Sequence, residues 1–371
     1  MRIINAKVFD ICEFSERDIY IKDGKISDAS DDDNVFDASG YFAIPGLVDI
    51  HFHGAVGCDF CDSDIESIAR LAKYEASKGV MAICPATMTF PEEKLIHIAT
   101  TAKNYVRKYK NDKEYAELVG INLEGPFISS EKNGAQNPEY IVAADGRLID
   151  KLQKASGNLI KLIDIAPECF NNLNFIADYS DKVSISLAHT NCDYDTAIAA
   201  FDRGANHMTH LFNAMPKLDH RKPGPIVAAM EKGAYAELIT DGIHIHPAMV
   251  RLAFLMFGDE KTILISDSMR ACGLKDGKYD LGGQNVNVSG RLATMENDST
   301  TIAGSVTNLF DCMRIAIKEM GIPPISAIRA ATYNPAKSIG IDNNYGSFLP
   351  GRKGIVLLVN SDFEFVRIIS S

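Results

Sequence analysis

The sequence predicts an α/β protein made of a closed (β/α)8 barrel of the TIM type and a small β-sandwich domain formed by both ends of the chain. Two observations lead to this fold class. Short apolar runs alternate with amphipathic helical segments through most of the 371 residues, which is typical of βα units around a parallel sheet. Both ends of the chain instead have the pattern of short strands with polar turns. A chain of this length can hold one large domain and one smaller one.

The two ends of the chain predict a small β domain. The first 45 residues contain short segments of alternating polarity, and Asp23 and Gly24 form a typical hairpin turn between two of them. The tail has a similar pattern in the segment GSFLPGRKGIVLLVNSDFEFVRII. We therefore expect residues 1–45 and 346–371 to pair into one domain and residues 46–345 to form the barrel.

Eight short apolar runs predict the strands of the barrel: 47–53, 80–85, 118–124, 159–167, 182–189, 205–210, 234–240 and 262–267. Most are followed by segments in which apolar residues recur three or four positions apart, as in 64–79, 91–110, 194–204 and 247–258, so helices are expected there. Eight βα units suggest closure into a barrel. The last run is followed by an irregular, strand-rich excursion, 270–302, before a helix at about 305–320. A connection of this length is usually functional.

The composition excludes several classes of protein. The 49 acidic and 38 basic residues give a formal net charge of −11, which repels a phosphate backbone when basic residues are not clustered, so a nucleic-acid-binding module is excluded. The longest apolar runs, such as 252–257 and 355–359, are far shorter than the roughly 20 residues that a membrane span needs. The start MRIINAKVFD lacks an apolar segment after a basic one, so we expect no secretory signal and a cytosolic protein.

The cysteine pattern does not indicate a metal or redox site. In the cytosol the 8 cysteines are expected to be reduced. Cys58 and Cys61 form a CxxC motif, but a second pair at zinc-ribbon spacing is lacking. We expect buried or half-buried free thiols.

Ionisable side chains lie at the ends of five of the eight runs: His51, His53, Glu124, His189, His210 and Asp267. The carboxyl ends of parallel barrel strands open on one face, so these side chains are expected to converge. Imidazoles and carboxylates without thiolates suit zinc, iron, manganese or cobalt, and two residues placed two apart on a strand point to the same side. The pattern predicts a metal site. For Asp267 the alternative is a helix N-cap, because SDSM could begin a helix.

A family resemblance is carried by motifs that follow one another from about residue 40 to the end of the chain: PGLVDIHFHG (45–54), INLEGPFI (121–128), LAHTNC (187–192), MTHLFNAMPKL (208–218), ITDGIHIHP (239–247), SDSMRACGLKDGKYDLGG (266–283), TIAGS (301–305) and ATYNPAKSIG (331–340). Together they resemble the amidohydrolase superfamily and, within it, the family of N-acetylglucosamine-6-phosphate deacetylases. The activity that this resemblance implies is hydrolysis of the acetamide of N-acetylglucosamine 6-phosphate to glucosamine 6-phosphate and acetate, a step of amino-sugar catabolism.

The resemblance also implies different roles for the residues of the metal site. Glu124, His189 and His210 would bind the main catalytic metal, and Asp267 would be the catalytic acid and base. The pair His51 and His53 is found in family members that can hold a second metal, so one or two divalent ions per subunit are implied. Zinc, iron, manganese and cobalt remain open.

Contacts with the substrate are implied in the same way. His244 would reach the sugar, Asn213 and Ala214 would meet the phosphate, and Arg221 would reach the phosphate in the neighbouring subunit, which implies a homodimer. The alternative for Arg221 is a solvated loop charge. Ser305 is either a substrate contact or a helix N-cap.

The chain departs from the family at Gln136, where many members have a histidine before Asn-Pro. A glutamine can donate a hydrogen bond to the substrate but cannot carry a proton, so substrate scope or rate could differ.

Two other functions stay open at this stage. The same chemistry could act on another acylated substrate, such as N-acetylgalactosamine 6-phosphate or a non-phosphorylated amide. A non-catalytic metal- or sugar-phosphate-binding barrel is the second alternative. The presence of Asp267 argues against it, because binding alone does not need an acid and base.

Overall fold

Short strands begin the chain in the computed structural model, which describes residues 1–29, 34–110 and 112–370. These strands are β1 (Arg2–Ile4), β2 (Lys7–Phe9), β3 (Phe14–Glu16), β4 (Ile19–Lys22), β5 (Lys25–Ser27), β6 (Val35–Asp37) and β7 (Phe42–Pro45). One sheet has the strand order β5-β4-β1-β6. The register of β4 and β5 pairs Lys22 with Lys25 across Asp23 and Gly24, as the hairpin signal predicted.

The middle of the chain supplies parallel strands, together with a small antiparallel pair formed by β9 and β10. The strands are β8 (Leu47–Asp49), β9 (Gly54–Ala55), β10 (Cys58–Asp59), β11 (Val80–Ile83), β12 (Glu117–Leu118), β13 (Ile121–Leu123), β14 (Ile160–Ile165), β15 (Ser184–Leu187), β16 (His207–Met208), β17 (Tyr235–Ile239) and β18 (Thr262–Ile265). Parallel sheets run β12-β11-β8 and β13-β14-β15-β16-β17-β18. Each predicted apolar run contains one of these strands, because strands covered on both faces need apolar side chains throughout.

Helices follow most of these strands, which confirms a mixed α/β fold. They are α1 (Ile65–Ser77), α2 (Glu92–Lys108), α3 (Gly146–Ser156), α4 (Asn172–Tyr179), α5 (Tyr194–Asp202), α6 (Gly224–Glu231), α7 (Pro247–Lys261), α8 (Leu309–Lys318), α9 (Pro324–Ala331) and α10 (Tyr333–Ser338), with 3-10 turns at Phe60–Asp62, Ser130–Lys132 and Pro138–Tyr140. In α1, Asp64 caps the first turn by accepting from the Ser67 N–H, and Ile68, Leu71 and Ala72 are buried. Among the described residues, we find no helix with the length and apolar character of a membrane span.

The last strands form one sheet of their own and join another. The excursion after β18 holds an antiparallel sheet of β19 (Gly277–Leu281), β20 (Gln284–Ser289) and β21 (Leu292–Met295). In the tail, β22 (Ile355–Val359) and β23 (Phe365–Ser370) join the N-terminal strands in the order β23-β22-β7-β2-β3. Apolar residues of both chain ends pack together in a core of their own, which includes Ile3, Val8, Ile19, Val356 and Leu358.

Backbone hydrogen bonds bring the ends of β8 and β18 together. The N–H of Asp267 donates to the carbonyl of His51 at 2.9 Å, and the N–H of His53 donates to the carbonyl of Ser268 at 2.7 Å. An isolated bridge between Ala86 and Asn122 also links the end of β11 to β13. The carboxyl ends of the first and last parallel strands are thereby adjacent, and the ionisable residues lie there.

Candidate active site

Two groups of metal-ligating side chains lie side by side at the ends of the parallel strands. One group is Glu124, His189 and His210, and the other is His51, His53 and Asp267. Within each group the ligand atoms lie within 4.8 Å of one another, and all the side chains are buried. The structure therefore brings together, from the ends of β8, β13, β15, β16 and β18, the six ionisable residues for which the sequence predicted a metal site.

Glu124 joins the two groups. Its Oε1 lies 3.0 Å from Nε2 of His189 and 3.2 Å from Nε2 of His210. Its Oε2 lies 3.2 Å from Nε2 of His53, which belongs to the other group. Oε1 also lies 3.6 Å from Nε2 of His51, so the Glu124 carboxylate lies between the two groups.

Asp267 faces the two histidines of β8. Its Oδ1 lies 3.4 Å from Nε2 of His53 and 3.7 Å from Nε2 of His51. The side chain is accessible from the cavity described below, in contrast to His51, which is fully buried. Asp267 is not a helix N-cap, because the next helix, α8, begins at Leu309 after an Asn308 cap.

The backbone is strained where three of these side chains leave their strands. His189, His210 and Asp267 have φ values of 44°, 29° and 48°, in the left-handed region that residues with a Cβ rarely adopt. Such a conformation costs on the order of 1–3 kcal/mol and is concentrated at functional sites.

A close approach explains the glycine after Glu124. Gly125 has a φ of 79°, and a Cβ at this position would overlap Oγ1 of Thr89. Only glycine fits the EGP segment without displacing Thr89.

The carboxylates and imidazoles of the site shift one another's pKa values. Burial raises the pKa of the Glu124 carboxyl, but the charge of His51 and hydrogen bonds from His189 and His210 outweigh burial, so the pKa is well below its usual range. Burial similarly opposes ionisation of Asp267, and His53 and His51 hold its pKa below the ordinary value. Burial lowers the pKa of His53, but Asp267 and Glu124 raise it to about 10. The neighbouring imidazoles thus balance the two carboxylates, a part that a divalent cation can also play.

Unsatisfied polar atoms point to the same conclusion. Among the described residues, His51 Nε2 and Glu124 Oε2 are buried and have no hydrogen-bond partner. Buried polar atoms are normally paired, so these two need an explanation. Divalent cations held by these residues would satisfy both atoms, and a set of nitrogen and oxygen donors suits such ions. The residues fit the metal that the sequence predicted.

The two groups open into a cavity of about 310 Å³. Its lining includes His53, Glu124, His189, His210 and Asp267, together with four predicted substrate contacts: Gln136, Asn213, Ala214 and His244. A volume of this size suits a small-molecule substrate.

A family model described as the amidohydrolase family matches residues 42–367. The chain belongs to the amidohydrolase family. The family is metal-dependent, in agreement with the two ligand groups.

Relatives of this amidohydrolase have named activities. The N-acetylglucosamine-6-phosphate deacetylase of Bacillus subtilis (strain 168) is 36% identical over 358 residues, which is 94% of this chain and 90% of the relative. The N-acetylgalactosamine-6-phosphate deacetylase of Escherichia coli O157:H7 is 32% identical over 87% of this chain and 85% of its own length. An aspartate-to-alanine variant of the Mycobacterium smegmatis N-acetyl-D-glucosamine-6-phosphate deacetylase, solved in complex with N-acetyl-D-glucosamine-6-phosphate, superposes with a TM-score of 0.91 at 28% identity, covering 100% of this chain and 97% of that one.

In this amidohydrolase, His244 is held by a partner that the sequence analysis missed. Its Nδ1 lies 2.8 Å from Oδ2 of Asp241. Burial lowers the pKa of His244, but the hydrogen bond and charge of Asp241 outweigh burial and raise it. The spacing of Asp241 and His244 in DGIHIHP is the signal that could have revealed the pair, since three residues suffice for a local turn.

Two predicted substrate contacts lie elsewhere. Ser305 does not line the cavity, is fully buried, and its Oγ donates to the carbonyl of Ser266 at 2.7 Å. It is not the cap of α8 either, because Asn308 has that position. Arg221 is exposed in a loop outside the cavity, where its backbone N–H donates to Asp219 at 2.8 Å.

The excursion after β18 contributes lining that the sequence analysis did not assign. Leu281, Thr300 and Thr301 come from this segment, and Met88 and Phe212 come from loops after other strands. The length of the excursion was the available signal, because long connections at strand ends commonly cover a site.

Proposed function

We propose that this amidohydrolase hydrolyses the acetamide of N-acetylglucosamine 6-phosphate and releases glucosamine 6-phosphate and acetate. The observation that carries the proposal is the bridging position of Glu124 between two buried metal-ligand groups, with Asp267 beside it in the cavity. The named activity of the Bacillus subtilis relative, at 36% identity, supports the choice of substrate.

The metal would be held by the side chains already described. Glu124, His189 and His210 would hold the main ion, and His51, His53 and Asp267 would hold a second one. When bound, a divalent ion makes water a better nucleophile at neutral pH and polarises an amide carbonyl. Zinc, iron, manganese and cobalt all suit these donors.

Asp267 would move the proton. Its lowered pKa keeps the carboxylate ionised at neutral pH, so it can accept the proton of the attacking water. As the C–N bond breaks, Asp267 returns that proton to the amine nitrogen, and acetate and the free amine leave. The hydrogen-bonding environment of His53 and the strained backbone hold the carboxylate in place.

The remaining lining residues would orient the sugar. His244 donates to a sugar hydroxyl, and the amide of Gln136 donates to the acyl oxygen or a hydroxyl. Asn213 and Ala214 would approach the phosphate through the backbone turn after His210. Ser305 is buried and would instead have a structural role, through the hydrogen bond that its Oγ donates to the carbonyl of Ser266.

Arg221 would complete the site across a homodimer. Its exposure in a loop outside the cavity supports a role toward a neighbouring subunit rather than its own substrate. A guanidinium suits this part, because its planar fork bonds two phosphate oxygens. The homodimer and a cytosolic location stay predictions.

We also propose the complete architecture that the sequence predicted. The backbone hydrogen bond from Asp267 to His51 and the bridge between Ala86 and Asn122 support closure of the two parallel sheets into one eight-stranded barrel over residues 46–345. The separate apolar core of both chain ends supports a small sandwich domain of residues 1–45 and 346–371.

A second candidate substrate is N-acetylgalactosamine 6-phosphate. It is favoured by the Escherichia coli relative, which carries that name at 32% identity. The two sugars differ only in the configuration of one hydroxyl, so the same metal chemistry would serve both.

The deciding experiment is acetate release by the purified protein of known metal content. N-acetylglucosamine, its 6-phosphate and N-acetylgalactosamine 6-phosphate are compared under identical conditions. We expect a strong preference for the glucosamine phosphate. A preference for the galactosamine phosphate would select the second candidate, and activity on none of the three would overturn the proposal and favour a non-catalytic barrel or another acyl substrate.

A further inference from the structure

A buried carboxylate lies behind the metal-ligand groups and outside the cavity. Glu237, on β17, is 0% exposed and does not line the cavity. Its Oε2 lies 3.3 Å from Nδ1 of His51, and its Oε1 lies 3.7 Å from Nδ1 of His207. The same Oε2 accepts from the backbone N–H of His210 at 3.5 Å. The carboxylate therefore sits between two buried imidazoles and the backbone of His210, and it cannot touch a substrate.

The two ring nitrogens of His51 face different surroundings. Nε2 points toward Glu124 and Asp267, at 3.6 Å and 3.7 Å, and has no hydrogen-bond partner among the described residues. Nδ1 points away from the cavity, toward Glu237. A neutral imidazole binds a metal through a lone pair, so a metal at Nε2 requires the proton to be on Nδ1.

Two neighbours of Nδ1 favour opposite proton positions. Nδ2 of Asn122 lies 3.3 Å from Nδ1 of His51, and an amide donor there would favour a bare Nδ1 and a proton on Nε2. The same Nδ2 lies 3.3 Å from the carbonyl of Ile50, which accepts from it. A carboxylate oxygen of Glu237, at 3.3 Å from Nδ1, can accept a proton carried there.

We propose that Glu237 is a positioning residue that keeps the proton of His51 on Nδ1 and so directs the Nε2 lone pair into the group formed with His53 and Asp267. The inference rests on the metal assignment of the proposed function and deepens it. A carboxylate partner of this kind fixes the orientation of a ligating imidazole and raises its basicity, and its loss commonly costs about 10–100-fold in metal affinity.

The test measures metal alone, without sugar. The metal-free protein is titrated with Zn²⁺ against a competing chelator, and the ion of the second group is identified by its loss in His53→Ala. We expect wild type to bind two ions per chain. Glu237→Leu is expected to weaken the second ion by about 10–100-fold and the ion held by Glu124, His189 and His210 by less, because Glu237 contacts that group only at the backbone N–H of His210.

Two further variants separate positioning from general support of the fold. Glu237→Gln keeps an oxygen that can accept from Nδ1, so we expect it to recover part of the affinity lost in Glu237→Leu. Asp164→Asn is the matched control, because Asp164, on β14 of the same parallel sheet, is also a fully buried carboxylate but accepts from Thr209, at 2.7 Å, rather than from a histidine. It is expected to leave the affinity for the second ion unchanged.

Several outcomes would overturn the inference. These are second-ion affinities equal to wild type in both Glu237 variants, a loss in Asn122→Ala instead of in the Glu237 variants, and a wild type that binds only one ion at saturating Zn²⁺. If Glu237→Leu does not fold, Glu237→Gln decides: a smaller but measurable loss supports the inference, and no loss overturns it. A wild type that shows the expected dependence on Glu237 but hydrolyses none of the sugars would leave this inference intact and overturn only the proposed function.

Discussion

The side-chain oxygen of Gln136 accepts a hydrogen bond of 2.6 Å from the backbone N–H of Thr89. This bond fixes the amide, because only the oxygen can accept from that donor. The NH2 group is consequently the part of Gln136 that remains for a ligand in the cavity, with a long contact of 3.6 Å to the sulfur of Met88. The residue that departs from the family pattern is thus held as a donor.

Gln136→Glu tests this donor with almost no change in shape. The carboxylate can still accept from Thr89 but cannot donate, so we expect kcat/KM to fall by about tenfold, the value of one hydrogen bond of roughly 1.4 kcal/mol. Steady-state kinetics on the preferred sugar phosphate provide the measurement, and the melting temperature serves as the control for folding. An unchanged kcat/KM would show that the NH2 group makes no contact that matters.

The Asp241–His244 pair predicts a pH dependence. Asp241 raises the pKa of His244 above its ordinary value against the opposing effect of burial, and His244 helps to hold the pKa of Asp241 below its ordinary value. The pair therefore stabilises the protein between these two folded-state pKa values. Its contribution is lost as the pH rises through the raised pKa of His244 or falls through the lowered pKa of Asp241.

Asp241→Asn removes the charge that keeps His244 protonated. Burial then acts unopposed by Asp241, so the pKa of His244 falls, and the alkaline limb of the kcat/KM profile moves to lower pH. Profiles recorded between about pH 5 and 9 measure this shift. The exposed cap residue Asp145 offers a control in Asp145→Asn, which should leave the profile in place. An alkaline limb that does not move in Asp241→Asn would rule out His244 as its source.

Asp267→Asn tests the proton transfer. The amide has nearly the same shape but cannot accept the proton, so turnover should fall by about 10²–10⁴-fold. Metal analysis should still find the ion of Glu124, His189 and His210, because Asp267 is not among its ligands. Turnover equal to wild type would refute the role of Asp267 as acid and base.

Arg221→Ala tests recognition of the phosphate. We expect KM for the 6-phosphate sugar to rise by about 10–100-fold, in keeping with the loss of a hydrogen bond to a charged group, while the unphosphorylated sugar is unaffected. Arg147→Ala, which removes an exposed arginine from α3, is the matched control. An unchanged KM for the phosphorylated sugar would show that Arg221 does not bind the phosphate and is an ordinary solvated charge in a loop.

Mixed dimers show whether Arg221 acts across the subunit boundary. A dimer of one Arg221→Ala subunit and one Asp267→Asn subunit contains one site with an intact Asp267. That site is served by an intact Arg221 only if the arginine comes from the partner. We therefore expect the mixed dimers to have one active site whose KM for the phosphorylated sugar equals that of wild type. No regain on mixing would contradict the cross-subunit arrangement.

The sequence by itself predicted the parallel strands and the six ionisable residues that the structure brings together at their ends. Strands that are covered on both faces must be apolar, so His51, Glu124 and Asp267 stand out at the ends of such runs. Parallel strands also place these ends on one edge, which makes residues far apart in the chain converge. The β character of both chain ends also led to the prediction that they pair with each other, but not to which strands do so.

Only the tertiary structure decided which polar side chains face each other behind and around the metal ligands. Ser305 lies in a motif next to the site, yet it is turned to the carbonyl of Ser266. Glu237 lies within an apolar run that predicted nothing but a strand, yet it faces His51. These contacts depend on strand register and on the course of loops over the strand ends. Periodicity predicts which face of a strand is buried, but it does not identify the side chain that another strand places opposite it.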